Sequence, residues 1–429
     1  MASTEPEIKE TPVEPAALAT SPDVIADSFG EYARLWLRRV RGGESGALPV
    51  ILGLVAIVIY FQVRSSLFLS AGNLVNLIEQ AAWIVTLGMA EVFVLLLGEI
   101  DLSIGYTSAI GAVFTCWLLV PPDPAPWPLA VLVGLAFPAV YGLIQGLFVT
   151  LLKLPSFVVT LAGLLMAEGL LLYLVNTAAP GSGGNIRMFS SILLDIESAS
   201  MNATASWIVM IVAVALGGTF LILRDNNRRK SKLAAPPLSV TLLKVAVMAV
   251  AGVVVVLIGD INRGVGFVAL RGVPWVVLVV LVVLIAWSVL LSRTRFGRYV
   301  YAIGGHAEAA RRAGISLTRI RVLAFTLAGF TAGIAGIVYA SFNGSISNNV
   351  NGGQLVLYAV AAAVIGGTSL FGGRGRMLGA VLGGLIVAVI YNGLYLLGTG
   401  AAAVDMWTAI VLLAAVTVDT LARRGRTAS

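Results

Sequence analysis

One cysteine and one histidine among 429 residues remove much of the chemistry a protein this size can perform. The lone Cys116 lies in an apolar run, which excludes a disulfide framework within the chain and argues for a buried, inert thiol. Zinc and iron sites draw on several His or Cys ligands, and a Ser-His-Asp hydrolase needs a histidine base, so His306 would have to serve alone. There is no G-x-x-x-x-G-K-[ST] phosphate loop, and no lysine follows Lys244. The glycine-rich run GGTSLFGGRGR from Gly366 to Arg376 is therefore read as a tight turn between two closely packed helices. No catalytic or metal-binding residue is assigned, and the chain is not expected to be an enzyme. Charge is scarce too: 11% of residues are charged against 59% hydrophobic.

What the chain has instead is apolar runs long enough to cross a bilayer, which takes about 20 helical residues. Twelve are read, at 47–63, 74–97, 103–120, 127–152, 156–174, 206–223, 239–258, 273–291, 323–340, 355–371, 377–397 and 406–421. Most lack the period-2 alternation of a barrel strand, and lipid offers the backbone no water, so the spans are helices. The expected fold class is an all-α polytopic membrane protein of about twelve transmembrane helices.

Lysine and arginine collect on the cytoplasmic side of membrane proteins. With the N-terminus inside and twelve spans, 24 of the 28 basic residues fall inside, and only Arg64, Arg187, Arg263 and Arg271 fall outside. Adding or dropping one early span would put the later basic blocks on opposite faces. The count thus predicts cytoplasmic termini, and the net charge of +7 reflects orientation rather than affinity for nucleic acid. Residues 1–46 read as a disordered acidic cytoplasmic tail ending in a juxtamembrane basic segment, 47–424 as the transmembrane domain, and 425–429 as a C-terminal tail. No cleavable signal precedes the first span, which is expected to act as its own insertion signal. The segment EYARLWLRRVR at 31–41 reads either as an interfacial helix in contact with lipid or as a flexible linker.

Between the eighth and ninth spans, residues 292–322 form a polar segment with seven arginines, expected to be a cytoplasmic docking loop. Gly304 and Gly305 supply a permissive turn, Ala307 to Arg312 is good helix former, and Glu308 with Arg312 makes an i,i+4 pair. The bland alternative is a solvated charged loop.

Acids at membrane depth are costly and face protein or a water-filled route. Glu79, Glu91, Glu99, Asp101 and Glu168 are such residues. In LLLGEIDLSIGYTSAIG, Asp101 or Ser103 would cap the third span, or else Glu99, Asp101 and Ser103 line a pathway. Glu91 sits mid-run and is either neutral or hydrogen-bonded in the bundle, or lines the route. Pairs of glycines four apart, Gly142/Gly146, Gly329/Gly333 and Gly379/Gly383, indicate close helix packing or a moving gate surface.

GEIDLSIG, KLPSFVVTLAGLL at Lys153–Leu165, GRYVYAIGGHAEAARRAGIS at Gly297–Ser316, AVIGGTSLFGG at Ala363–Gly373 and YNGL at Tyr391–Leu394 together resemble the permease subunit of bacterial sugar ABC importers of the ribose/xylose group. The likeness runs from about residue 47 to 424 and is nearest to xylose-type members, with the basic-tipped hairpin at 206–258 (RDNNRRKSK at its turn) as an insertion into a ten-helix core. RGVPWVVL at Arg271–Leu278 resembles the segment that follows it there.

That resemblance implies a homodimeric pathway in the bacterial plasma membrane, an extracytoplasmic sugar-binding protein, and a separate ATPase subunit that uses ATP and Mg. It implies that Gly304, Gly305, His306, Glu308, Arg311, Arg312 and Gly314 belong to a coupling segment held in a groove of that ATPase. His306 stands where the family often shows Asn, and Val356 and Tyr358 stand where an acidic pair is expected, which leaves the sugar open beyond a pentose or similar neutral monosaccharide. Neutral sugars are read by hydrogen bonds and aromatic faces. Tyr106, Thr107, Ser108, Tyr391 and Asn392 would supply these along a pathway, or serve as polar packing groups. The competing readings are a proton-coupled carrier using Glu91 or Glu168, and a non-transporting membrane scaffold.

Overall fold

The computed structural model describes residues 30, 34, 48–178, 181, 183–231, 235–264, 270–400, 402–404, 406–410, 413 and 417. The acidic tail, most of the 31–41 segment and much of the twelfth apolar run at 406–421 lie outside the described residues.

The described chain is helical apart from two three-residue strands. The elements are α1 (Leu48–Arg64), α2 (Ala71–Leu95), α3 (Ile104–Trp117), α4 (Trp127–Leu151), α5 (Ser156–Ala178), β1 (Asn185–Arg187), α6 (Ser191–Ser198), α7 (Ala203–Lys230), α8 (Leu238–Asp260), α9 (Val276–Arg293), α10 (Arg295–Gly305), α11 (Ala307–Arg312), α12 (Leu317–Asn343), β2 (Ser345–Ser347), α13 (Gly352–Ile365) and α14 (Met377–Leu396). Among the described residues, eight helices are long and apolar enough to cross a membrane: α2, α4, α5, α7, α8, α9, α12 and α14. Three shorter apolar helices, α1, α3 and α13, occupy further runs read from the sequence. α3 and α13 each have 14 residues, so the apolar runs at 103–120 and 355–371 outlast their helices.

The described helices divide into two compact units, one built from 210–252, the other from the described residues of 45–209 and 253–429. Within the first, Asp225 on α7 accepts from Thr241 on α8 at 2.8 Å and pairs with Arg224 at 2.8 Å, joining the two arms of the hairpin. Gly252 of one arm faces Met210 of the other, a close fit between small and flexible side chains.

The second unit is a bundle centred on α2, of whose residues 75–95 nearly all are buried. Helix starts follow ordinary capping chemistry: Ser70 Oγ accepts from Asn73 N–H at the start of α2, and Ser316 Oγ from Arg319 N–H at the start of α12. α12 ends at Gly344, whose φ of 66° suits a residue without Cβ. The glycine pairs are packing surfaces. Gly142 and Gly146 of α4 face Phe325 and Val322 of α12, while Gly329 and Gly333 of α12 face Pro138 and Gly134 of α4, so two of the three pairs build one interface. Gly379 and Gly383 of α14 face Gly366 and Ala362 at the end of α13. β1 pairs antiparallel with β2, Ile186 opposite Ile346.

Candidate functional site: a polar and aromatic core and an arginine-bearing end

The arginine-rich segment is not an open loop. Thr294 Oγ1 accepts from Gly297 N–H and starts α10, whose Gly297, Val300 and Ile303 are buried. Gly304 and Gly305, expected to form a turn, are instead the last residues of α10, and the chain breaks at His306 (φ −158°, ψ 96°). His306 Nδ1 accepts from Ala309 N–H at 3.1 Å and so caps α11. Asparagine is a preferred cap, which explains chemically why a histidine with an accepting ring nitrogen serves in its place. Gly314, with φ of 81°, then allows the chain to turn toward α12.

On α11, Arg311 holds Glu308 through two bonds of 2.7 and 2.9 Å, and Arg312 Nε adds a third at 3.2 Å. Hydrogen bonds from Arg311 and then Arg312 hold the solvent-facing Glu308 carboxyl down to about 2. The expected Glu308–Arg312 pair is thus one arm of a three-residue cluster.

Gly304 matters for a different reason from the one its sequence suggests. A Cβ there would run into Leu96 O, at the end of α2, and Gly373 N, within the α13–α14 turn. Those two segments are themselves joined by Gly373 N–H donating to Leu96 O at 2.9 Å, and Tyr301 Oη donates to Gly375 O at 2.8 Å. The end of α10 therefore abuts the end of the central helix through backbone. The GGTSLFGGRGR run is the tight turn expected, with φ of 88°, 84°, 72° and 158° at Gly367, Gly372, Gly373 and Gly375.

Asp101 of GEIDLSIG and Glu91 of α2 form a buried network beside this end. Glu91 (0% exposed) accepts from Asp101 N–H at 3.3 Å, and Asp101 (2%) accepts from Ser103 N–H at 2.9 Å and Ser103 Oγ at 2.7 Å. Ser103 occupies the cap position of α3 without making a side-chain cap bond; Asp101 takes its N–H instead. Ser103 Oγ also accepts from Gln145 Nε2 at 2.8 Å and lies 3.3 Å from Thr107 Oγ1. Glu99 leaves the network to pair with Arg321 at 3.2 Å, and Tyr106 Oη donates to Glu168 at 3.0 Å.

Tyr391 and Asn392 belong to a second constellation. Asn392 Oδ1 accepts from Asn73 at 2.8 Å, and its Nδ2 donates to Gln80 at 3.1 Å and toward Asn76 at 3.4 Å. Tyr391 joins Trp83, Tyr339, Tyr358 and Tyr395 in a ring cluster with centroid spacings of 4.6 to 6.2 Å. The structure thus brings Glu91, Asp101 and Ser103 together, and Tyr391 with Asn392, while Glu99 and Tyr106 pair elsewhere. Gln145, Asn73, Asn76, Gln80 and Trp83 were missed in the sequence. Their signal was there: Asn73, Asn76, Gln80 and Trp83 lie at i, i+3, i+7 and i+10, one face of a helix. An apolar cavity of about 230 Å³ between α2, α9 and α14, lined by residues such as Ile78, Val85, Val280 and Leu385, offers no comparable hydrogen-bonding groups.

Residues 73–417 match the family described as branched-chain amino acid transport system / permease component. The chain is 33% identical over 391 residues to the xylose transport system permease protein XylH of Haemophilus influenzae, covering 88% of this chain and 97% of that one. It is 31% identical over 382 residues to the ribose import permease protein RbsC of Bacillus subtilis (88% and 94%) and 29% identical over 415 residues to the fructose import permease protein FrcC of Rhizobium meliloti (95% and 94%). No solved structure matches.

Proposed function

The chain belongs to the permease-component family of branched-chain amino acid transport systems, and from that premise we propose that it is the membrane pathway of an ATP-driven importer for a monosaccharide, xylose or a related pentose. Similarity over nearly the full length of permeases named for xylose, ribose and fructose supports a sugar rather than an amino acid as cargo. The protein sits in the bacterial plasma membrane with twelve crossings and both termini in the cytoplasm, the arrangement that puts 24 of 28 basic residues inside.

The observation that carries the mechanism is α11. It is a short, solvent-facing helix with a Glu308–Arg311–Arg312 cluster, abutting the end of α2 through Gly304. Such a helix suits a groove on a separate ATPase subunit, which binds ATP and Mg and hydrolyses the nucleotide. An extracytoplasmic binding protein delivers the sugar, and two copies of the permease enclose the route. Glu91, Glu99, Asp101, Ser103, Tyr106, Tyr391 and Asn392 are the proposed pathway groups, either in contact with the route or supporting the helices that line it.

The test is partner dependence. Proteoliposomes holding the chain with its ATPase and binding protein should take up xylose only with ATP, and the chain alone should take up none. Uptake by the chain alone, driven by a pH gradient and abolished by Glu91→Gln, would refute this function in favour of a proton-coupled carrier.

A further inference from the structure

The face of α2 that carries Asn73, Asn76, Gln80 and Trp83 runs about 15 Å along the helix, from its first turn to its middle. Each of its amides is occupied by another: Gln80 Nε2 donates to Asn76 Oδ1 at 2.6 Å, and Asn392 of α14 bridges Asn73 and Gln80. At its lower end stands Trp83, 5.3 Å from the Tyr339 ring and 6.2 Å from the Tyr391 ring, both edge-on at 90°, and 6.1 Å from Tyr358. Gln354 Nε2 donates to Tyr358 Oη at 2.8 Å, bringing a fifth carboxamide to the same place. Four helices, α2, α12, α13 and α14, contribute these rings.

Trp83 is 2% exposed, and its indole N–H has no hydrogen-bond acceptor among the described residues. A buried donor left unmade is destabilising, and a phenylalanine would fill a packing role there without that penalty. A partner that arrives from outside resolves the difficulty. The surrounding chemistry says which kind: amides, phenols and an indole, all uncharged. Aromatic faces receive the C–H surface of a sugar ring, and carboxamides, each both donor and acceptor, match neighbouring hydroxyls. A zwitterionic amino acid would need charged partners for its ammonium and carboxylate, and this constellation supplies none.

We propose that the amide ladder and the Trp83 ring cluster form a transient binding site for one neutral monosaccharide within the membrane, with the indole N–H donating to a sugar hydroxyl. The site rests on the importer function above and gives it a location. Entry is along the ladder, from the first turn of α2 toward its middle, and the amides exchange their bonds to one another for bonds to the sugar. Both ends of the exchange are hydrogen-bonded, so the site holds the sugar weakly enough to release it.

The experiment uses the complete complex in proteoliposomes and reads xylose uptake and ATP hydrolysis together. Trp83→Phe keeps a ring and removes only the indole N–H; it should lower xylose taken up per ATP by about tenfold, the worth of one hydrogen bond in a site that excludes water. Binding-protein-stimulated hydrolysis should stay at the wild-type rate. Tyr391→Phe, which removes one half-buried hydroxyl, gives an independent comparison with the same expectation in sign. Wild-type uptake per ATP in both variants, or uptake and hydrolysis falling in parallel as a packing defect would make them, overturns the site. A wild-type complex that hydrolyses ATP yet imports a branched-chain amino acid and no sugar overturns the function together with the site.

Discussion

Two adjacent glycines with the same helix propensity should respond oppositely to alanine. Gly304 and Gly305 both end α10, and replacing either with Ala gains up to about 1 kcal/mol of intrinsic helix stability. At Gly305 nothing stands within 4 Å of the new methyl, so the gain should appear. At Gly304 the methyl meets Leu96 O and Gly373 N. These are backbone atoms joined to one another by a 2.9 Å hydrogen bond, and neither can rotate away. Overpacking of that kind costs about 1–3 kcal/mol, which outweighs the propensity gain. Gly304→Ala should therefore lower the thermal midpoint of the detergent-solubilised permease and weaken its co-purification with the ATPase, since α11 is displaced with α10. Gly305→Ala should match or exceed the wild type in both. Equal responses at the two positions, or a less stable Gly305→Ala, would refute the contact and the coupling argument built on it.

Two other substitutions follow from the same geometry. Arg311→Glu with Arg312→Glu puts three acids on α11 in place of the cluster around Glu308, and should abolish ATPase co-purification while leaving membrane insertion and binding-protein docking intact; unchanged co-purification counts against the docking role. Burial, with Glu79 adding to it, pushes the Glu197 carboxyl on α6 from 4.5 up to about 10, so its protonated form is favoured in the fold. The stability tied to that proton is complete below pH 4.5 and is lost as pH rises toward 10, by at most about 1.4 kcal/mol per unit. Melting at pH 5 and pH 8 should show a fall for the wild type that Glu197→Gln largely removes; an equal fall in both would sink the assignment.

How much the sequence disclosed depended on whether a feature is local. Hydropathy located the helices, since apolar length is a property of a run, and the arginine density of 292–322 marked the segment that folds as α10 and α11. The glycine pairs disclosed that faces pack closely, but spacing along one helix does not name the helix opposite, so the joining of Gly142/Gly146 with Gly329/Gly333 in one interface was not legible. α3 and α13 are shorter than their apolar runs because turns stop them: the first gives way at Leu118, and the second passes into glycines with positive φ that hydropathy does not register. Gly304 was read as a turn because glycine has two uses, freedom of φ and absence of a side chain, and only three-dimensional neighbours tell them apart. Trp83 was passed over because a lone aromatic in an apolar run reads as packing, although its three amide neighbours share its helical face.

The buried acids can now be weighed between relay and brace. A proton relay has to reach water at each end of its travel. Glu91 is 0% exposed and accepts from the backbone N–H of Asp101, which is 2% exposed and holds both the N–H and the hydroxyl of Ser103. Ser103 in turn is held by Gln145 of α4. Each link fixes the turn between α2 and α3, and Glu99 extends the bracing to α12 through Arg321. Glu168 is 62 residues from Tyr106 in sequence and accepts its hydroxyl, a tie between α3 and α5 rather than a step in the Glu91 network. The turn so braced adjoins Leu96, the residue against which Gly304 rests. The acids thus stiffen the turn that follows α2, and α2 is the helix that carries Trp83 and the amides. Under the function proposed above, a movement of α11 would reach the groups of the proposed sugar site along α2, with the buried acids as its anchor.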